Sequence, residues 1–166
     1  ITLGKNSPSI IFRVCFYINF ITSIIYIFWH LIAFISIYFR KDIFDQNNID
    51  VDSIILTQAK IFGFQSADFI KNLELFHLLS IFCWSVILFS GVFLWRRIRG
   101  YFLIYVLAFI AYIILMWMLL GYKFITNETT NFDVFYFIVL FGSMFTPFFY
   151  DYLKRSRLKQ IEEEED

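Results

Sequence analysis

The sequence predicts an all-α integral membrane protein, a four-helix bundle with a short amphipathic helix in its first outer loop. Of the 166 residues, 60% are hydrophobic, against roughly 45–50% in soluble domains. Four long stretches contain no Asp, Glu, Lys or Arg, and they are 14–39, 75–95, 101–122 and 134–150. An uncharged apolar stretch of about 18 or more residues is typical of a membrane-spanning helix.

The four spans occupy most of the chain, so a single transmembrane domain is predicted over 1–166. What remains is an outer loop at 40–74 and a tail at 151–166 that is first basic and then acidic. Within the loop, the segment 51–64 mixes apolar residues such as Ile55 with polar residues such as Asp52. This pattern predicts a short helix that lies in the membrane interface with its apolar face inward.

The basic residues are distributed unevenly between the two sides of the membrane. With four spans, the amino end, the short connection between spans two and three, and the carboxyl end share one side. Nine of the 14 basic residues lie there, namely Lys5, Arg13, Arg96, Arg97, Arg99, Lys154, Arg155, Arg157 and Lys159. Because cytoplasmic segments carry an excess of Lys and Arg, both termini are predicted on the cytoplasmic side, or on the matrix side of a mitochondrial membrane.

Phenylalanine is strongly over-represented, with 24 in the chain, whereas Gly and Pro number only 6 and 2. A bilayer requires apolar area and does not distinguish Phe from Leu or Val. The bias therefore indicates a T-rich gene. We expect the protein in the inner membrane of a mitochondrion or of an AT-rich bacterium.

Small and polar side chains follow one face of each of the first two spans, at the steps of three and four residues that define a helical face. The face of span one is Asn19, Ser23, Tyr26, His30, Ala33 and Ile37, and that of span two is His77, Ser80, Cys83, Ile87, Ser90 and Gly91. Small residues let membrane helices approach closely, so the two faces are expected to meet each other or the bundle interior. Spans three and four are expected to face lipid or a neighbouring protein.

The only two histidines lie on these two faces, His30 in span one and His77 in span two. Imidazoles from two neighbouring helices can hold the iron of a b-type haem from its two sides. At about 1.5 Å per residue, however, His30 lies about 12 Å below Tyr38, whereas His77 lies only about 4 Å from the start of its span. A structural role, with His77 at the wet interface near Glu74, is the competing interpretation, and a quinone or metal contact is the remaining one.

The sequence lacks the residue patterns of several kinds of catalytic and ion-binding site. Proton relays and ion paths usually place charged residues inside spans, and these spans have none. There is no nucleophile–base pair and no glycine-rich phosphate loop, and the 14 basic and 14 acidic residues cancel. Cys15 and Cys83 form no CxxC pair and are interpreted as packing residues. We therefore expect no enzyme activity, no metal site and no nucleic-acid binding.

These observations favour a structural or accessory subunit of a larger integral-membrane complex, for example a respiratory or other energy-converting one. Its partners would be other membrane subunits and bound lipids, and no cofactor would be needed. One alternative is an electron-transfer subunit that holds haem b between His30 and His77. Another is a small oligomeric transporter or channel whose path is lined by Asn19, Ser23 and Tyr26.

Overall fold

The computed structural model describes residues 10–44, 50–61, 63–64, 68–96, 98 and 100–165, and for residues 43–44, 128, 132, 151–152 and 154–165 it describes the backbone alone. The described residues form six helices. These are α1 (Ile10–Tyr38), α2 (Arg40–Phe44), α3 (Val51–Ile61), α4 (Asp68–Trp95), α5 (Tyr101–Glu128) and α6 (Asn131–Glu165). Four of them, α1, α4, α5 and the first half of α6, are long and apolar enough to cross a membrane. The predicted all-α, four-span fold is confirmed.

The four long helices form an up-and-down bundle. Helix α4 packs along both α1 and α5, whereas α6 packs mainly against α1 and meets α5 at few positions. At one end, which we call the hairpin end, the turn between α4 and α5 lies beside the start of α1 and the middle of α6. Aromatic contacts join these segments, with ring centroids 4.7 Å apart for Phe16 and Trp95 and 4.5 Å apart for Phe102 and Phe148. Helices α2 and α3 lie at the opposite end, which we call the loop end.

The helices extend beyond the predicted apolar spans at three ends. Helix α4 begins at Asp68 and not at 75, α1 begins at Ile10 and not at 14, and the α6 backbone stays helical to Glu165. The physical reason is that a charged side chain ends an apolar stretch but not the backbone hydrogen bonds of a helix. Lys71 and Glu74 therefore lie within the first two turns of α4, where the helix emerges from the hydrocarbon.

Short polar motifs begin two of the helices. Thr130 and Asp133 form a reciprocal capping box at the start of α6, since the Thr130 amide donates to the Asp133 carboxylate (2.8 Å) and the Asp133 amide donates to the Thr130 hydroxyl (3.2 Å). Asp50 accepts from the Ser53 amide (3.1 Å) at the start of α3. These contacts satisfy amides that a helix leaves unpaired at its amino end.

Helix α3 confirms the predicted helix in the outer loop. Its Ala59 is buried, whereas Ile54 and Ile61 on other faces are exposed. Arg40 links α3 to the end of α1, because its side chain pairs with Asp52 and also donates to the carbonyl of Ile37.

Helix α5 contains a break that the sequence analysis did not predict. Gly121 has φ 78° and ψ 163°, a backbone conformation that is essentially restricted to glycine. A Cβ atom at Gly121 would lie 3.5 Å from the ring of Phe64, and that ring also contacts Phe69 with centroids 4.7 Å apart. Phe64 therefore packs against both the break in α5 and the start of α4.

The prediction that span three faces lipid or a partner was wrong for one side of α5. Tyr105 and Leu120 are fully buried, and Tyr101 and Tyr112 nearly so. These side chains pack with Trp84 and other residues of α4 in the main hydrophobic cluster. The error arose because bulky tyrosines resemble lipid-facing residues in sequence, although their rings fill the bundle interior.

Candidate functional site

The polar faces of α1 and α4 meet inside the bundle, as predicted. Asn19, Ser23 and His30 of α1 are almost completely buried, and so is Ser80 of α4. At mid-length Tyr26 lies flat on Trp84, with ring centroids 4.2 Å apart and an interplanar angle of 12°. Close approach at small residues lets these large rings interleave between the two helices.

His30 and His77 are brought together at this interface. Their Nδ1 atoms lie 2.8 Å apart, within hydrogen-bonding distance. A neutral imidazole has one nitrogen that donates and one that accepts. One of the two Nδ1 atoms must therefore carry the proton and the other must accept it, so the two rings hold complementary tautomers.

The histidine pair lies in an aromatic environment. The His30 ring contacts the rings of Phe76, Tyr112 and Tyr26, with centroid distances of 5.6, 5.8 and 6.2 Å. His30 itself is only 2% exposed, whereas His77 is half-buried. The pair therefore has an inner member, His30, and an outer member, His77.

The two histidines lie at the same level along the bundle, since their Nδ1 atoms are 2.8 Å apart, although the predicted spans placed them at different depths. Because α4 begins at Asp68, His77 lies nine residues into its helix, and His30 lies eight residues before the end of α1 at Tyr38. At about 1.5 Å per residue, the two depths agree.

A haem iron does not fit between these histidines. Axial nitrogens on opposite sides of a metal, each bonded at about 2 Å, would be about 4 Å apart with the porphyrin plane between them. The Nδ1 atoms are 2.8 Å apart and face each other directly. Three aromatic rings contact the His30 ring, and the arrangement of the two histidines is that of a hydrogen-bonded pair.

Further polar contacts continue along α1 towards the hairpin end, and they involve α6. The Asn19 amide donates to the Ser143 hydroxyl and to the carbonyl of Cys15, and the Thr22 hydroxyl lies 2.8 Å from the hydroxyl of Tyr136. Helix α6 is thus held to α1 by two polar contacts at different depths. Span four, which contains Ser143 and Tyr136, was expected to face lipid or a neighbouring protein, and neither contact was predicted.

Several buried polar atoms have no hydrogen-bond partner within the described part of the chain. They include Oδ1 of Asn19, the hydroxyl oxygens of Ser23, Ser80 and Tyr105, and Nε2 of His30. An unpaired buried polar group costs about 1–3 kcal/mol, which is why such groups are uncommon and call for a physical explanation. We refer to these five atoms as the polar column.

The described residues contain no group of three or more His, Cys, Asp or Glu side chains that could hold a metal ion. Cys15 and Cys83 are buried free thiols on the facing sides of α1 and α4.

Comparison of the chain with protein-family models, with curated protein sequences and with solved structures finds no match in any of the three. The functional argument therefore rests on the geometry of the bundle.

Proposed function

We propose that this protein is an accessory subunit of a larger integral-membrane complex, without catalysis of its own. The observation that supports the proposal is an exposed patch of small residues on α6. Gly142 and Thr146 are one turn apart and both exposed, and a Cβ atom at Gly142 would meet nothing within 4 Å. Two small residues spaced by four are the pattern that lets a second transmembrane helix approach closely.

The patch borders an apolar groove between α5 and α6. The groove has a volume of about 520 Å³ and is lined by Phe109, Val134, Phe137, Ile138, Phe141, Gly142 and Phe145. The groove exists because α6 packs mainly against α1 and makes few contacts with α5. A neighbouring transmembrane helix seated against Gly142 would cover both the patch and the groove, with bound lipid filling what remains.

The proposed host is a respiratory or other energy-converting complex of a mitochondrial inner membrane or of a bacterial inner membrane. The high content of Phe, which indicates a T-rich gene, supports this choice. The excess of Lys and Arg near the hairpin end supports termini on the matrix or cytoplasmic side. Of the basic residues in this argument, Lys5, Arg97 and Arg99 lie outside the described residues. Single cysteines introduced at Ile98 and Ser53 and labelled with a membrane-impermeant maleimide in intact organelles or cells would test the sidedness. Labelling at Ser53 without labelling at Ile98 is expected.

The two alternatives receive less support. The histidine geometry disagrees with haem ligation, so an electron-transfer role through a haem held by His30 and His77 is not proposed. A solute path lined by Asn19, Ser23 and Tyr26 is also disfavoured, because the Tyr26 ring is stacked on Trp84 and all three residues pack within the bundle.

Assembly into a complex is tested with a variant that blocks the patch. Gly142→Trp should leave the isolated bundle folded, because the Cβ position is open. The variant should shift the protein from a high-molecular-weight band to its own mass on native gels of gently solubilised membranes. Phe82→Trp is the matched control, since Phe82 is 70% exposed on α4, and it should assemble normally. A wild-type protein that migrates alone, or a Gly142→Trp variant that assembles like the control, would contradict the proposal.

A further inference from the structure

We propose that His30 and His77 form a proton-transfer pair, and that the polar column carries the proton between this pair and the hairpin end. The inference is independent of the proposed assembly role, because it concerns the interior of the bundle and not its surface. It rests on the direct contact between the two Nδ1 atoms (2.8 Å) and on the five atoms of the polar column, which are buried without a hydrogen-bond partner among the described residues.

The transfer step follows from the complementary tautomers of the pair. In the starting state His77 carries its proton on Nδ1 and His30 carries its proton on Nε2. A proton from the loop end binds Nε2 of His77, the Nδ1 proton of His77 moves across the hydrogen bond to Nδ1 of His30, and His30 releases its Nε2 proton inward. One proton enters, one leaves, and both rings have exchanged tautomers. The starting state returns when the hydrogen bond between the two Nδ1 atoms opens and each ring exchanges its N–H proton with bound water, so that His77 is again protonated at Nδ1 and His30 at Nε2 and one proton has moved per cycle.

The surroundings orient the pair between the loop end and the bundle interior. His77 is half-buried, and Glu74 lies one helical turn before it towards the loop end. His30 is the inner member, and its Nε2 is one of the atoms of the polar column. The other titratable groups around the pair are the phenols Tyr26 of α1 and Tyr112 of α5, while from α6 Tyr136 stacks on Tyr26.

The polar column continues the path. His30 and Asn19 are eleven residues apart on α1, a distance of about 16 Å along the helix axis. This is about half of the roughly 30 Å hydrocarbon thickness. The hydroxyls of Ser23, Ser80 and Tyr105 are also buried without a partner in the residues that the structure describes. Such atoms are binding partners for internal water, and water molecules bound along the column can relay a proton without an open pore.

Neutral histidines also fit a bilayer better than fixed charges do. The spans contain no charged residue, yet histidine chains are among the groups that form proton relays within membranes. An imidazole can gain and release a proton near neutral pH, and because a lasting charge is costly in the bilayer, it carries one only during transfer. The absence of Asp, Glu, Lys and Arg from the spans is therefore compatible with proton transfer.

Proton flux through the purified full-length protein tests the proposal. The protein is reconstituted into phosphatidylcholine–phosphatidylglycerol vesicles that contain a pH-sensitive dye, and a potassium diffusion potential is imposed with valinomycin. In vesicles that contain the wild-type protein, the lumen should become more acidic when the potential is negative inside and more alkaline when it is positive inside. His30→Gln and His77→Gln should reduce the flux to the leak of protein-free vesicles, because an amide can hydrogen-bond but cannot pass on a proton.

Ser85→Ala is the matched control. Ser85 lies on α4, and its hydroxyl donates to the carbonyl of Ile81, so this variant should retain the wild-type flux. Wild-type flux no greater than the leak, or flux retained in His30→Gln, overturns the proposal.

The hydrogen bond itself is tested by ¹⁵N NMR of protein labelled only at histidine, in lipid nanodiscs. With two histidines in the chain, just two rings contribute. We expect one ring to be protonated at Nδ1 and the other at Nε2. If the two rings exchange these states rapidly, the spectrum should show their average. Two rings that are both protonated at Nε2 alone could not share a hydrogen bond between their Nδ1 atoms, and that result would overturn the proposal even if the variants failed to fold.

Discussion

The ring of Tyr26 in α1 lies flat against the indole of Trp84 in α4, at the middle of one of the two most extensive helix contacts in the bundle. The centroids are 4.2 Å apart, the planes differ by 12°, and Trp84 is completely buried. Trp84 also meets Tyr112 of α5 edge-on at 5.5 Å, and Tyr26 stacks on Tyr136 of α6 at 6.0 Å. One stack thus touches all four transmembrane helices.

Truncation of Trp84 should therefore destabilise the whole bundle. For Trp84→Ala we expect a loss of about 3–5 kcal/mol in the free energy of unfolding, because a large buried ring is removed and the neighbouring helices cannot collapse fully. Thermal or detergent-induced unfolding of the purified protein measures it. Phe82→Ala, on the exposed side of α4, should change the unfolding free energy by less than about 1 kcal/mol. Equal losses for the two variants would show that Trp84 is not central to packing.

The histidine pair predicts non-additive stability effects. His30→Leu should lower the free energy of unfolding by about 1–3 kcal/mol, because it leaves the His77 imidazole without its partner. The double variant His30→Leu/His77→Leu should lose less than the sum of the two single variants, since neither partner then remains unpaired. A double-mutant cycle by detergent-induced unfolding measures this coupling. Strictly additive losses would mean that the two rings do not interact.

Gly121 should be the glycine least tolerant of substitution. Gly121→Ala places a side chain in a conformation essentially restricted to glycine and 3.5 Å from the ring of Phe64. We expect a cost of about 1–3 kcal/mol, seen as a lower unfolding midpoint and as faster amide exchange in α3. Gly91→Ala is the control, because Gly91 is helical and a Cβ there meets nothing within 4 Å. Its unfolding free energy should stay equal or rise slightly. A Gly121→Ala variant as stable as the control would contradict the backbone break.

The contact between Asn19 and Ser143 should contribute modestly to the docking of α6. Hydrogen bonds between membrane helices contribute about 0.6 kcal/mol on average, so Ser143→Ala should lower the free energy of unfolding by roughly that amount. Distances between spin labels on α1 and α6 should also broaden. Ser85→Ala removes a hydroxyl that bonds only within its own helix and should leave the α1–α6 distances unchanged. Unchanged distances in Ser143→Ala as well would show that apolar packing alone holds α6.

Part of the candidate site could be predicted from the sequence. The spacing of Asn19, Ser23 and His30 placed them on one face of α1, and the same argument placed His77 and Ser80 on one face of α4. Buried Tyr105 and Tyr112 could not be found in this way. In a membrane, lipid tails are as apolar as the protein interior, so hydrophobic periodicity does not separate the core-facing side of a span from its lipid-facing side.

The sequence by itself determined that the chain has four membrane-spanning helices, that its loop carries one amphipathic helix, and that two histidines lie on the polar faces of the first two spans. These features follow from apolar length and from the 3.6-residue period, which are local properties of the chain. Only the tertiary structure decided that His30 and His77 lie at the same depth with their Nδ1 atoms in contact, because depth depends on where α4 begins at Asp68. It also decided that Ser143 and Tyr136 belong to the interior, because the rotation of α6 about its own axis is set by packing against α1.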